Sequence, residues 1–189
     1  MRKSSISSNE FYKGQHRFEH WYRDNTVYFI TSRCRNKFPA FATDAAKSIF
    51  WDRLTHYAAF HGVALWIVSL LDNHYHLIAY LPRGEHLGPF MRRFHGSVAK
   101  LVNDLLPERL TPFWYDSGKQ GYFDGCLRNE LQGRRSYRYV LRQAVRHGIV
   151  TDHREYPHTR AYVELDRAID RANELGVWLG DVPYKRYAR

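Results

Sequence analysis

The spacing of hydrophobic residues along the chain predicts strands and helices in mixed order. Short runs rich in β-branched and aromatic residues indicate strands, and apolar residues at every third or fourth position indicate helices. Strands are predicted at residues 26–33, 63–72, 74–81 and 120–127. Helices are predicted at residues 44–61, 87–106, 129–147 and 159–175.

This order of elements predicts the fold class. Strand, helix, strand, strand, helix, strand is the order of the ferredoxin-like split βαβ motif. Helices that are segregated to one side of a sheet are typical of α+β proteins. We therefore predict an α+β fold in a chain of 189 residues, which is the size of one domain.

Composition narrows the class of partner. The net charge is +10 and aromatic residues make up 16% of the chain. A basic, aromatic-rich domain is typical of nucleic-acid binders, although a generic basic surface would give the same composition.

Other classes of protein are disfavoured. The chain has only two cysteines, Cys34 and Cys126, so neither a disulfide scaffold nor a cysteine zinc cluster is expected. We expect the protein to lie in a reducing compartment. The longest apolar stretch, residues 63–71, is about half of the ~20 residues that span a bilayer, so no membrane contact is expected.

Two histidines in the third predicted strand are candidates for metal binding. Residues two apart in a strand face the same side, so His74 and His76 project together, with Cα atoms about 7 Å apart. Tyr75 then faces the opposite side. The other interpretation is that two of the 11 histidines alternate by chance on a surface strand.

The third predicted helix is rich in arginine. Its arginines repel one another along the helix, which favours a polyanionic partner, although a solvated basic face is the alternative. Tyr139 and Gln143 are four positions apart and share one helical face, whereas Tyr137 points to nearly the opposite side.

Together, four segments resemble the REP-associated tyrosine transposases, which belong to the single-tyrosine HUH superfamily. These segments are TVYFITSRC, NHYHLIAYLP, QGYFDGCLRNE and YVLRQAVRHGIV. The resemblance covers about residues 24–165 and implies a ferredoxin-like or RRM-like antiparallel sheet with helices packed on it. We thus expect a flexible basic arm at 1–20, the catalytic domain at 21–165, and a helix end and tail at 166–189.

The resemblance implies a role for four residues. His74 and His76 match the metal-binding histidines, Tyr139 matches the nucleophile, and Gln143 matches a third, amide-type metal ligand. Many REP-associated members have Asn-Pro-Val where this chain has Gln-Ala-Val at 143–145, and the glutamine resembles the mobile insertion-sequence branch instead. The implied cofactor is Mg²⁺ or Mn²⁺.

The implied reaction is cleavage and rejoining of single-stranded DNA at hairpins through a 5′-phosphotyrosine. Many relatives are dimers, so a homodimer is a further expectation, as is a bacterial, cytoplasmic and nucleoid-associated location. Tyr22, Trp114 and Tyr115 are candidates for stacking on bases. The residues expected to bind DNA phosphates are Arg92, Arg93, Lys100, Arg134, Arg135, Arg138, Arg142 and Arg146.

Two alternatives remain open at this point. One is a non-catalytic, domesticated protein that binds DNA hairpins. The other is an RRM-like RNA binder, which would carry stacking aromatic residues on its central strands. His74 and His76 lie on such a strand, which favours a catalytic role over RNA binding.

Overall fold

The computed structural model describes residues 23–115 and 121–178. The predicted arm at 1–20 and the end of the predicted tail lie outside the described residues. The strands are β1 (Thr26–Arg33), β2 (Ala64–Leu70), β3 (His74–Leu81), β4 (Phe123–Cys126) and β5 (Thr159–Ala161). The helices are α1 (Asp44–His61), α2 (Leu87–Asn103), α3 (Glu130–Leu141), α4 (Gln143–Arg146) and α5 (Leu165–Glu174).

The five strands form one antiparallel sheet in the order β4-β1-β3-β2-β5. The first four strands have the neighbours that the βαββαβ order predicts, so the α+β prediction is confirmed. β1 and β3 lie at the centre, and their register places Arg33 opposite His74 and Thr31 opposite His76.

The expectation that the helices lie on one side of the sheet is wrong. Each face has its own hydrophobic core under helices, because alternate residues of a strand point to opposite sides. Tyr75 and Leu77 of β3 face the first core, which is covered by α1 and α2. Ile78 faces the second core together with Tyr137 and Val140 of α3. His74 and His76 have the same parity as Ile78 and therefore lie on the α3 side.

Local signals fix the ends of the helices. The Thr43 hydroxyl accepts a hydrogen bond from the Ala46 backbone N–H at the start of α1. Gly62 follows the helix at φ 66°, a left-handed conformation that glycine adopts at little cost. The Asn129 side chain caps α3 in the same way, by accepting from the Gln132 backbone N–H.

The predicted continuous helix at residues 129–147 is wrong at one position. α3 ends at Leu141, and Arg142 adopts φ −99° and ψ 15°, outside the helical region, before α4 begins at Gln143. The hydrophobic periodicity continues across the break, so the pattern gave no sign of it.

The predicted helix at residues 159–175 is also wrong in its first part. Residues Thr159–Ala161 form β5 and pair with β2, and the Ser69 and Thr159 hydroxyls lie 2.8 Å apart across this pair. Pairing with the sheet overrides helical preference in so short a segment. α5 then packs against α3, where Gly133 leaves no room for a side chain, because a Cβ atom there would lie 2.8 Å from the Trp178 ring.

In the two described ranges, no helix is both long and apolar enough to cross a membrane.

Candidate active site

A pocket of about 580 Å³ opens on the α3 side of the sheet, at the end of β3 where His74 lies. Among its described lining residues there is no carboxylate. The lining residues include Thr31, Arg33, Lys37, Asn73, His74, His76, Tyr115, Tyr139 and His147.

His74 and His76 lie side by side in this pocket, with their ring centroids 5.2 Å apart. Between them, Tyr75 is completely buried on the opposite face of the sheet. Its hydroxyl lies 2.7 Å from Nε2 of His95 on α2. This arrangement follows the predicted alternation and anchors the strand that presents the two imidazoles.

Both imidazoles are uncharged at neutral pH. Burial, helped by the nearby His147 and Arg33, lowers the pKa of His74 to about 4. Burial and the neighbouring His74 and His147 lower the pKa of His76 to about 3. A neutral imidazole has a lone pair that can bind a metal ion.

Asn73 fixes the tautomer of His74. The Asn73 Nδ2 amide donates to the Lys37 carbonyl at 3.1 Å, which turns Oδ1 toward His74. Nδ1 of His74 donates to this oxygen at 2.6 Å, so the lone pair of the neutral ring is on Nε2. Sequence reasoning missed Asn73.

Tyr139 reaches the pocket from α3. Its ring centroid lies 5.2 Å from that of His76 and 6.0 Å from that of Phe29. The side chain is 38% exposed, and the Arg146 guanidinium lies 5.0 Å from its ring centroid. Tyr137 points away, as predicted, and donates its hydroxyl to the Val163 carbonyl inside the second core.

Gln143 is buried directly beneath Tyr139. Its Nε2 donates to the Tyr139 carbonyl at 2.9 Å, close to the helix break. The Gln143 side chain also raises the pKa of His76, against the larger and opposite effect of burial. The single chain therefore brings Tyr139, His76 and Gln143 together.

These side chains fit a divalent metal ion in part. Within residues 23–115 and 121–178, no three His, Cys, Asp or Glu side chains are grouped closely enough to hold one, so a three-point site needs the Gln143 amide oxygen. Nδ1 of His76 is buried and has no hydrogen-bond partner. Imidazole suits Zn²⁺ or Ni²⁺ better than Mg²⁺, which prefers oxygen ligands, whereas the Gln143 amide oxygen suits Mg²⁺ and Mn²⁺.

Three more residues, His147, Arg33 and Tyr115, line the pocket together with the histidines. The ring of His147 lies 5.0 Å from that of His74. Arg33 lies opposite His74 in the sheet, with its guanidinium 4.0 Å from the ring centroid of Tyr115. Strand register and loop packing create these contacts, and no spacing in the sequence signals them.

The arginines predicted to bind DNA do not all have the same surroundings. Arg134 already pairs with Glu130 at 2.7 Å and with Asp166 at 2.6 Å. Four other predicted arginines are exposed on α3, on α4 and at the break between them, namely Arg135, Arg138, Arg142 and Arg146.

The basic residues of α2 lie apart from the pocket. Arg92, Arg93 and Lys100 are exposed, but α2 covers the first core, on the face of the sheet opposite Tyr139. The guanidinium of Arg93 lies 4.8 Å from the ring centroid of Phe60.

The three candidates for base stacking also differ. Trp114 is buried in the first core, contrary to the expectation that it stacks on bases. Its ring centroid lies 4.1 Å from that of His95. Tyr115 is 39% exposed. Tyr22 lies outside the described residues.

Comparisons with known proteins address the fold. The sequence matches no family model and no curated protein. A solved REP-associated tyrosine transposase, bound to a REP hairpin, aligns with 85% of this chain and 87% of its own, at a TM-score of 0.62 and 17% identity.

A second solved structure is a protein from Deinococcus radiodurans R1 with a provisional transposase assignment. It aligns with 67% of this chain and 96% of its own, at 16% identity and a TM-score of 0.44, too low to support a conclusion. At 17% identity, the similarity to the first structure is evidence for the fold alone. On that evidence, this chain has the fold of the REP-associated tyrosine transposases.

Proposed function

We propose that the protein is a metal-dependent, single-stranded DNA transposase or endonuclease that cleaves and rejoins DNA at hairpin, REP-like sequences. The observation that carries this proposal is the position of Tyr139, whose ring lies 5.2 Å from that of His76 in the pocket that also contains His74. The fold supports it, since the similar transposase was solved with a REP hairpin.

The reaction is a transfer of one phosphate ester to another. The Tyr139 hydroxyl attacks the phosphorus of a phosphodiester, a tyrosine–phosphorus bond forms, and the bond from phosphorus to the 3′ oxygen breaks. The tyrosine gives up its proton and the leaving 3′ oxygen gains one. Because the 5′-phosphotyrosine keeps the ester bond, a 3′-hydroxyl can attack it in turn and rejoin the strand without a nucleotide cofactor.

A phenol hydroxyl is a weak nucleophile at neutral pH, so the site must act by positioning and by stabilising charge. Packing between Phe29 and His76 orients the Tyr139 ring. Arg146, whose guanidinium lies 5.0 Å from that ring, places positive charge beside the attacked phosphate.

His74, His76 and Gln143 would hold the divalent metal ion. When bound, this ion supplies Lewis-acid stabilisation of the charge on the scissile phosphate. The tautomer that Asn73 imposes keeps the lone pair of His74 on Nε2.

The exposed arginines around Tyr139 would bind the DNA backbone. Arg135, Arg138, Arg142 and Arg146 surround the tyrosine on α3, on α4 and at the break between them. Contacts of this kind neutralise phosphates without reading sequence and weaken as salt rises.

The decisive experiment is a search for the covalent adduct. The protein is incubated with a labelled hairpin oligonucleotide that has single-stranded flanks, with Mn²⁺ or Mg²⁺, and is analysed on a denaturing gel. Tyr139→Phe is expected to abolish the adduct and keep hairpin binding. Tyr137→Phe, a matched change two residues away in the second core, is expected to keep both.

Two results would contradict the proposal. An adduct in the Tyr139→Phe protein would show that another residue is the nucleophile. Hairpin binding by the native protein without an adduct in either metal would indicate a non-catalytic hairpin-binding protein instead.

A further inference from the structure

Arg33 and Tyr115 form a cation–aromatic pair on the wall of the pocket. The Tyr115 backbone N–H donates to the Arg33 carbonyl at 2.7 Å, which holds the two residues together. The Arg33 guanidinium lies 4.0 Å from the Tyr115 ring centroid, and both side chains are exposed to the pocket.

Among the residues that the structure describes, none neutralises the charge of this pair. In the part of the chain that the structure describes, no carboxylate forms an ion pair with Arg33. Lys37 adds a second cation to the same wall, and no described lining residue is acidic. A guanidinium that is stacked on an aromatic ring and has no carboxylate partner is suited to a phosphate and an unpaired base.

The position of the pair relative to Tyr139 is set by the sheet. Tyr139 contacts the ring of His76, His76 contacts the ring of His74, and Arg33 lies directly across from His74 in the β1–β3 register. The nucleophile therefore lies next to His76, at one end of the histidine pair, and Arg33 lies beside His74, at the other end, on the neighbouring strand. In phosphoryl transfer the attacking and leaving oxygens are roughly in line, on opposite sides of the phosphorus.

We infer that Arg33 and Tyr115 bind one unpaired DNA nucleotide, namely the one whose 3′ oxygen leaves when Tyr139 attacks. Its base stacks on the Arg33–Tyr115 pair, and Arg33 and Lys37 contact its phosphate. The inference rests on the proposed function and adds a site for the released strand. That strand has no covalent link to the protein after cleavage, so a site that retains it favours rejoining over loss.

A binding experiment tests this site without requiring cleavage. In the Tyr139→Phe background, affinity for a labelled hairpin oligonucleotide with single-stranded flanks is measured by fluorescence anisotropy. Arg33→Ala and Tyr115→Ala are each expected to weaken binding about tenfold, in keeping with the usual effect of removing a stacking partner. Tyr115→Phe keeps the ring and is expected to bind normally.

Arg83→Ala is the control for charge, at an arginine that, unlike Arg33, lies 3.7 Å from a carboxylate oxygen, that of Glu85. Arg83 is exposed and follows the far end of β3, away from His74. An equal loss of affinity in Arg83→Ala and Arg33→Ala would overturn the inference, because it would show a general effect of charge. If Tyr115→Ala fails to fold by circular dichroism, Tyr115→Leu removes the aromatic ring while filling most of its volume.

An abasic scan identifies the bound nucleotide. When one base at a time is removed from the oligonucleotide, affinity for the Tyr139→Phe protein should fall at a single position. Removal of that same base should not change the affinity of a Tyr139→Phe protein in which Tyr115 is also replaced. The cleavage position, mapped from the adduct of the native protein, should lie immediately 3′ of that nucleotide.

The outcomes separate this inference from the proposed function. If no position couples to Tyr115, or if the coupled base lies on the tyrosine-linked side of the cut, the assignment of this nucleotide site is wrong even when the adduct forms. If the native protein forms no adduct, the proposed function fails first, and with it the leaving-strand role of the pair.

Discussion

The rings of Tyr139 and His76 are in edge-to-face contact within a single chain, with centroids 5.2 Å apart and an interplanar angle of 78°. The nucleophile and the metal-binding residues that we propose therefore meet without a second copy of the protein. If Tyr139 of each chain acted in the active site of a partner instead, α3 would have to leave this position.

Mixing two inactive variants tests this arrangement. We expect that Tyr139→Phe and His76→Ala proteins form no adduct with the hairpin oligonucleotide, either alone or mixed, since neither chain has a complete site. A denaturing gel that shows an adduct only after mixing would contradict the single-chain site and indicate exchange of α3 between two copies.

Asn73 should affect metal affinity through the orientation of His74. Loss of such a partner commonly reduces metal affinity by about 10- to 100-fold, so Asn73→Ala should bind Mn²⁺ more weakly by this factor. Asn73→Asp keeps an acceptor for Nδ1 of His74 and should restore most of the affinity. Titration followed by electron paramagnetic resonance measures both, and an unchanged affinity in Asn73→Ala would show that the tautomer is set by another group.

The arginines of α3 should fall into two groups. Arg138→Ala removes an exposed charge, so DNA affinity should fall and the slope of log K against log salt should drop by about 1. Arg134 is paired with Glu130 and Asp166, so Arg134→Ala should change the salt slope little and cause a small loss in thermal stability. Anisotropy at several salt concentrations would contradict the grouping if both variants changed the slope equally.

His95 should make folding stability depend on pH. Its pKa is lowered by burial from 6.5 to about 3. The unfolded chain therefore takes up a proton as pH falls below 6.5 while the folded chain does not, so acid favours unfolding across this range. His95 alone should reduce the free energy of unfolding by up to about 1.4 kcal/mol per pH unit below 6.5.

The effect of His95 is measured by urea unfolding between pH 7.5 and 4.5. His95→Gln, which can still hydrogen bond to Tyr75, removes this titration and should show a shallower dependence on pH. His74 and His76 act in the same direction and leave a residual slope in both proteins. Equal slopes would mean that His95 is already accessible to protons in the folded state.

The sequence predicted those parts of the structure that depend on local pattern. β1, β3 and α1 have the predicted bounds, because alternation, a threonine cap and Gly62 are local signals. The common face of His74 and His76 follows from the same alternation.

What the sequence could not predict depends on packing between distant segments. The break at Arg142 is associated with the burial of Gln143 under Tyr139, and β5 exists because β2 offers it hydrogen bonds. The contact of Arg33 with Tyr115 joins residues 82 positions apart in the chain. Neither hydrophobic periodicity nor motif spacing contains this information.

The addition of β5 also affects how the protein behaves at high concentration. It covers part of the edge of β2, a seven-residue strand that would otherwise be the outermost on that side. In the described sheet the outer strands are then β5, with three residues, and β4, with four. Such short edges give another polypeptide little to pair with, so the fold is protected against edge-to-edge aggregation by the segment that hydrophobic periodicity assigned to a helix.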